Sequence, residues 1–244
     1  MEKSIFSFSR PMSFMAAALA LVVLISACKK DLGPSEPIPA AGLMVFNLAP
    51  DQQAVGVALS NSLLTNNPLQ YTNYNGLYQN IYVGQRDIAV YDYLTDSVVA
   101  TGNHTFENDN YYSLFVTGNN GNYETVVVED DVDSTSSADK AYIRYINAVP
   151  DSSSPVVTIT SAGTKVLDGA AAFNTVSPFA AVNEGEVNVS INNGTNISAA
   201  RNITLEKGKV YTALLIGDPA KTDSLTKVQI RYIQNGQLPA PAEK

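Results

Sequence analysis

Apolar and polar residues alternate along most of this chain, in short runs rich in β-branched and aromatic side chains. Turn-forming residues break the runs at intervals of roughly eight to twelve positions, the pattern of a β-sandwich. In the first half the alternation predicts strands near 43–48, 54–60, 86–93, 98–101, 111–117 and 123–128. Turns fall at Pro50-Asp51, Asp96-Ser97, Asn108-Asp109-Asn110 and Asn119-Asn120-Gly121. The Asn-Gly pair suits a tight hairpin, where positive φ is required. The second half predicts strands near 141–148, 155–160, 186–191, 200–205, 209–216 and 226–233. Tyr211 to Ile216 is apolar on both faces, which predicts a central strand rather than an edge. One stretch departs from the period of two. Tyr71, Tyr74, Tyr78 and Tyr82 recur at three and four, which fits either a short helical turn or a long crossover.

The two halves repeat one another. Val45-Phe46-Asn47-Leu48-Ala49-Pro50-Asp51 is matched one hundred residues later by Tyr145-Ile146-Asn147-Ala148-Val149-Pro150-Asp151. Tyr112-Ser113-Leu114-Phe115-Val116-Thr117-Gly118 is matched at a spacing of ninety-nine by Tyr211-Thr212-Ala213-Leu214-Leu215-Ile216-Gly217. Self-similarity at fixed spacing marks a duplicated structural unit. Proline at 50 and 150 forbids a ladder hydrogen bond, and the aspartate after it turns the chain through its own backbone. An Asn-x-x-Pro-Asp cluster also has the chemistry of a metal or catalytic carboxylate. Its recurrence in divergent repeats assigns it to a turn the fold requires.

The N-terminus reads as an address. Lys3 and Arg10 precede an apolar or small-residue run from Phe14 to Ala27, and Leu24-Ile25-Ser26-Ala27-Cys28 resembles a lipobox. That run of fourteen is too short for a hydrocarbon core of roughly 30 Å. Cys28 is the only cysteine, so lipidation there leaves no disulfide to staple either repeat. The maturation this resemblance implies ends with three acyl chains on Cys28, and two already anchor stably at about 0.8 kcal/mol per buried methylene. Lys29 at the next position favours the outer membrane, and the Cys-Lys-Lys-Asp start resembles lipoproteins of the Bacteroidota. Cell-surface and periplasmic orientation both remain open. The expected layout is a signal peptide over 1–27, a Pro-rich tether over 28–41 and a first repeat over 42–129. An acidic, serine-rich linker over 130–140, a second repeat over 141–235 and a disordered tail over 236–244 complete it.

Charge narrows the partners. The net charge of −8 becomes −9 when Glu2, Lys3 and Arg10 are removed. Between Leu43 and Val128 the only cation is Arg86, against seven acids. Nucleic acid, which needs clustered Lys and Arg, is excluded as a partner, and a polyanion is disfavoured for the first repeat.

Arg144-Tyr145-Ile146-Asn147-Ala148-Val149-Pro150-Asp151, followed by Val156-Val157-Thr158-Ile159, resembles the opening of the domain of unknown function 4397 family. Gly208-Lys209-Val210-Tyr211-Thr212-Ala213-Leu214-Leu215-Ile216-Gly217 looks like that family's second hallmark. In the first repeat Asn110-Tyr111-Tyr112-Ser113 departs from it, lacking the glycine and threonine. The resemblance implies an all-β chain of two tandem Ig-like or transthyretin-like β-sandwiches, and supplies no catalytic residues.

Chemistry is sparse. His104 is the only histidine, it lies in no nucleophile-elbow pattern, and sites built on several His or Cys are excluded by count. Neither a cofactor motif nor an EF-hand spacing is present. Glu129-Asp130-Asp131-Val132-Asp133 has oxygen ligands suited to calcium, and equally the composition of a solvated linker. Nine of the thirteen tyrosines lie in the first repeat. Tyr71, Tyr74, Tyr78, Tyr91 and Tyr93 are candidates for a ligand face, since a tyrosine ring suits a sugar or a protein hot spot. Ser97, Ser134 and Ser224 each sit in an Asp-Ser-apolar or Asp-Ser-Thr sequence of the kind Bacteroidota glycosylate on exported proteins. The function expected is a non-enzymatic outer-membrane lipoprotein acting in binding, adhesion or scaffolding, its ligand a protein or a glycan. The alternatives are a periplasmic accessory subunit that docks a larger complex by strand pairing, and a carbohydrate-binding surface protein.

Overall fold

The computed structural model describes residues 37–65, 67–131 and 137–238. Cys28, Ser134 and Asp133 therefore lie outside the described residues, as do the signal peptide and most of the tether. From Pro39 onward the chain is one compact unit.

The first repeat contains β1 (Ala40–Asn47), β2 (Ala54–Leu59), β3 (Ser62–Leu63), β4 (Leu69–Gln70), β5 (Gln79–Tyr82), β6 (Gly84–Asp92), β7 (Val98–Phe106), β8 (Tyr111–Asn119) and β9 (Asn122–Glu129). The second contains β10 (Ala141–Asn147), β11 (Val156–Ser161), β12 (Thr164–Ala170), β13 (Ala180–Val182), β14 (Gly185–Asn192), β15 (Ser198–Leu205), β16 (Lys209–Ile216) and β17 (Gln229–Gln237). Each repeat is a sandwich of two sheets. In the first, β5-β1-β8-β9 faces β3-β2-β6-β7, with β4 beside β2; in the second, β13-β10-β16-β17 faces β12-β11-β14-β15. The fold is all-β, two tandem sandwiches among the described residues, as the alternation predicts.

Equivalent pairings recur. β1 runs parallel to β8 with Leu43 opposite Tyr112, and β10 runs parallel to β16 with Ile143 opposite Tyr211. Gly118 and Gly217 close the second hallmark of each repeat at φ 103° and 112°. A Cβ on either would run into the carbonyl of Asn122 or Lys227, so glycine is obligatory twice over. Asn120 and Gly121 take φ 52° and 84°, the tight hairpin that the Asn-Gly pair predicts.

Five strands escape the alternation: β3, β4, β5, β12 and β13. Four are only two to four residues long, and β12 is an edge strand with exposed or half-buried side chains throughout, so it has no buried face to pattern. β7 runs on to Phe106 through Gly102 and Asn103, weak strand formers held by pairing with β6. The tyrosines at three- and four-residue spacing are not helical. They lie on a crossover that carries β4, a bridge from Tyr74 to Phe46, and β5. β17 continues to Gln237, past the expected end at 235.

Three apolar clusters hold the unit together. Leu43, Val45, Val57, Ile88 and Leu114 belong to the first sandwich core, and Ile143, Val157, Val189, Ala213 and Leu215 to the second. The third draws on both repeats: Met44, Phe46 and Phe115 from one, Ile146, Leu214 and Ile216 from the other. These are the outward-facing residues of β1, β8, β10 and β16, since successive side chains point to opposite faces. Tyr211 to Ile216 is central, as expected, but its second apolar face is covered by the other repeat.

Like faces meet at this interface. Asn119 Nδ2 donates to Asp218 Oδ2 at 3.3 Å, and these two residues occupy the same position in their repeats. Thr72 and Asn174, both at positive φ with N–H groups bonded to Asn47 and Asn147, reach reciprocally across. Thr72 accepts from Arg231 Nη1 at 2.9 Å, and Asn174 donates to Glu124 at 2.8 Å. Self-complementary contact of equivalent patches is the arrangement of an isologous dimer, here within one chain.

Because burial continues from one repeat into the next, heat should unfold residues 40–237 in a single calorimetric transition, and two resolved transitions would contradict the shared interface. Phe115→Ala, which empties a fully buried site at the centre of it, should lower the unfolding free energy by about 3–5 kcal/mol.

Candidate functional site

The strand Ala141–Asn147 is buried at every position, and Arg144 lies within it with 2% of its surface exposed. A guanidinium there requires a counter-charge and further acceptors. Asp130 supplies the charge: its Oδ1 lies 2.5 Å from Arg144 Nη2, both side chains 2% exposed. This contact is charge on charge, without hydrogen-bond alignment. The bonds come from around it. Arg144 donates from Nη2 to Ser113 Oγ at 3.0 Å and from Nε to Thr212 Oγ1 at 3.1 Å. Ser113 in turn donates to Asp130 Oδ2 at 2.7 Å, and Thr212 to Asn235 Oδ1 at 2.7 Å. The Arg144 plane also lies 4.4 Å from the Phe179 ring centroid. Asp130, expected in a solvated linker, is instead the first residue after β9 and is drawn inside by Arg144.

The candidate tyrosines divide. Tyr71 is 7% exposed in the shared cluster, Tyr74 stacks on Phe46 at 5.4 Å, and Tyr78 donates to Asp130 Oδ2 at 2.5 Å. All three serve the interface, and Tyr71 and Tyr78 are withdrawn from any ligand face. Burial pushes the Tyr71 and Tyr78 hydroxyls well above their ordinary value, with the Asp130 charge adding to the effect at Tyr78. Tyr91 is half-buried on the outer side of β6, opposite in direction to the buried Ile88 and Val90, and Tyr93 is 58% exposed.

Asn47 and Asn147 act alike in both repeats. Asn47 Nδ2 donates to the carbonyls of Gln52 and Leu69, and its Oδ1 accepts from Ala49 N. Asn147 Nδ2 donates to the carbonyl of Ala171, and its Oδ1 accepts from Val149 N. Every contact is to backbone, so the pair holds the turn and the crossover.

The exposed features collect in the first repeat. The β6–β7 hairpin carries Tyr93, Leu94 and Val98 at 58%, 71% and 53% exposure. Asp92 Oδ1 fixes its tip by accepting from Leu94 N and Thr95 N. On the opposite side of the same sandwich, the edges of β3 and β5 bound a groove of about 420 Å³ walled by Leu63 and Tyr82 and reached by Arg86. Tyr111 lies over Gly42, where a Cβ would come within 2.5 Å of its ring.

The family described as domain of unknown function (DUF4397) matches residues 41–154 and again 141–243. The chain belongs to it. Its two DUF4397 copies account for nearly everything after the tether. No curated protein matches the chain. Among solved structures, it is similar to a streptococcal family 41 carbohydrate-binding module studied for α-glucan recognition, at 8% identity over 78% of this chain and 96% of that one, TM-score 0.24. It is also similar to a proposed cell adhesion protein from Bacteroides eggerthii, at 13% identity over 86% and 100%, TM-score 0.22.

The DUF4397 copies act as controls for one another. Among the described residues, large apolar side chains are exposed at seven positions of the first copy (Leu63, Leu77, Tyr82, Tyr93, Leu94, Val98, Tyr111) and three of the second (Val156, Leu225, Tyr232). Where the first copy has the Tyr93-Leu94 tip, the second has Gly194-Thr195, so the fold does not require apolar residues there. His104 lies in β7 with its ring edge-on to Phe106 and Tyr112 at 4.9 and 5.3 Å, and burial lowers its pKa. Ser97 and Ser224 are exposed in turns, as modification would need.

Arg144 and Asp130 were not singled out from sequence as a pair. The available signal was a cation in a run apolar on both faces. Asp130→Ala should lower stability by about 3–5 kcal/mol, measured by urea unfolding, because it leaves Arg144 buried and unpaired. Tyr71 and Tyr78 hold protons in the folded state that the unfolded chain releases near its ordinary value of 10.0. Their stabilisation is thus present below that pH and lost progressively as pH rises above it toward the raised folded-state value. Urea unfolding above about pH 10 should show falling stability, less steeply in Tyr78→Phe; a flat profile would contradict the assignment.

Proposed function

We propose that the protein is a non-enzymatic binding module of the bacterial envelope, lipidated at Cys28 and held at the outer membrane, with adhesion or scaffolding as its task. The first DUF4397 copy meets the ligand, and the second, joined to it through a buried interface, serves as a rigid base. The observation that carries this is the contrast between twins. At equivalent positions one copy shows Tyr93 and Leu94 to solvent and the other shows Gly194 and Thr195. A rigid hairpin tip with an exposed aromatic is the composition of a binding hot spot. His104 packed against two rings is consistent with a role other than general base. Ser97, beside that tip, and Ser224 are offered for O-glycosylation.

A glycan and protein array probed with the mature chain tests the proposal. Tyr93→Ser with Leu94→Ser should abolish the strongest signal while leaving the melting temperature unchanged. Binding that survives this change, or that is lost with Leu225→Ser instead, would overturn the assignment to the first copy.

A further inference from the structure

Arg86 occupies a position that its twin fills with an apolar residue. Gly84 pairs with Phe106 as Gly185 pairs with Leu205, so Arg86 corresponds to Val187, which is fully buried in the second core. Strand parity agrees, because Arg86 follows the same side of β6 as Ile88 and Val90. Placing the one cation of the stretch from Leu43 to Val128 at a core-facing position is unfavourable unless something compensates it. The chain supplies only part of the compensation. Arg86 donates from Nε to the Tyr82 carbonyl at 3.2 Å and from Nη2 to the Val83 carbonyl at 2.9 Å. Among the described residues no carboxylate lies within ion-pair distance of it and Nη1 has no partner. Two backbone bonds hold the guanidinium as a fixed fork, the arrangement suited to a bidentate carboxylate.

What surrounds that fork combines apolar, aromatic and amide groups. The groove has a floor of nearly buried Leu59 and Ile81, walls of Leu63 and Tyr82 at 59% and 65% exposure, and the Asn80 amide at its edge. Its volume of about 420 Å³ falls in the range of small-ligand sites. Tyr82 lies with its ring centroid 5.9 Å from the guanidinium carbon, so an apolar ring face and a cation are presented together. The lining residues include no Asp or Glu. In the second copy Asn80 and Tyr82 correspond to Ala181 and Asn183, and Asn183 accepts from Lys140 at 2.6 Å instead of facing a groove. Arg86, Asn80 and Tyr82 each differ from their twins toward ligand chemistry.

We propose that this groove binds a saccharide unit bearing a carboxylate, with the carboxylate on Arg86, the sugar ring against Tyr82 and a hydroxyl on Asn80. The seven acids of the first copy repel a polyanion, whereas one anionic sugar flanked by neutral hydroxyls is admitted. The inference rests on the first copy being the ligand-bearing module.

Titration of the mature chain with a trimer of one galacturonate unit between two neutral sugars, and with its carboxyl-reduced neutral counterpart, followed by nuclear magnetic resonance, tests it. The acidic trimer should shift the Arg86 Nε–H signal and the amides of residues 59–64 and 79–82. Arg86→Met, which restores an apolar side chain as in the twin, and Tyr82→Ala should each weaken binding by about tenfold or more without lowering the melting temperature. The neutral trimer should bind about tenfold more weakly. Equal binding of the two trimers, or no shift in these residues, would overturn the proposal. Acidic-trimer binding lost on changing Tyr93 and Leu94 but kept in Arg86→Met would also overturn it, while leaving the first copy as the ligand-bearing module.

Discussion

Two charges removed from water persist only where their remaining hydrogen-bonding groups are answered, and the arrangement of this molecule follows from answering Arg144. Its partner Asp130 comes from the end of the first repeat, Ser113 from that repeat's central strand, and Thr212 from the second repeat. Thr212 is Arg144's own cross-strand neighbour within the second repeat, but the Asp130 and Ser113 contacts cannot form unless the outward faces of β1 and β8 lie against those of β10 and β16. The apolar surround of Phe46, Phe115, Ile146 and Leu214 supplies the driving force, and the polar cluster fixes which register is allowed. Breaking one member leaves a buried charge, so the cluster acts as a specificity device for the interface.

Duplication explains why such an interface exists. Two copies of one unit carry the same outward apolar strip, and like strips bury each other about an approximate two-fold relation. Asn119 meeting its own counterpart Asp218 lies where that relation predicts. Once the two faces are consumed, the copies are free to diverge elsewhere. The second copy keeps a small polar hairpin tip and an all-apolar layer at Val187 and Ile203. The first puts Arg86 and His104 at those two positions and exposes Tyr82, Tyr93 and Leu94. The proposed binding features lie where a copy departs from its twin.

The fold was legible in the sequence because its determinants are local. Alternation, the Pro-Asp turns, the Asn-Gly hairpin and the recurrent glycines at 118 and 217 each constrain the backbone within a few residues. The role of Asn47 and Asn147 was legible for the same reason, given its double occurrence. Other features depend on partners far along the chain and leave little local trace. Tyr71, Tyr74 and Tyr78 have helical spacing because a crossover lays their rings on a neighbouring sheet, and no periodicity distinguishes that from a helix. Asp130 has the composition of a linker, and only the burial of Arg144 reveals its place. β12 and β13 lack alternation because they have little apolar area to hide. For the candidate site, Tyr93 could be placed on an exposed strand face by counting from Ile88 and Val90. Tyr82 and Arg86 could not, since their significance lies in Asn183 and Val187 at equivalent rungs of the second ladder.

Hydrogen exchange of the backbone amides in Asp130→Ala, compared with the unaltered chain, addresses the shared interface most directly. If the copies form one body joined through Asp130 and Arg144, protection falls in β10 and β16 as far as it falls in β1 and β8. Loss confined to the first copy, with β10 and β16 exchanging as before, would show two independent sandwiches and contradict the account.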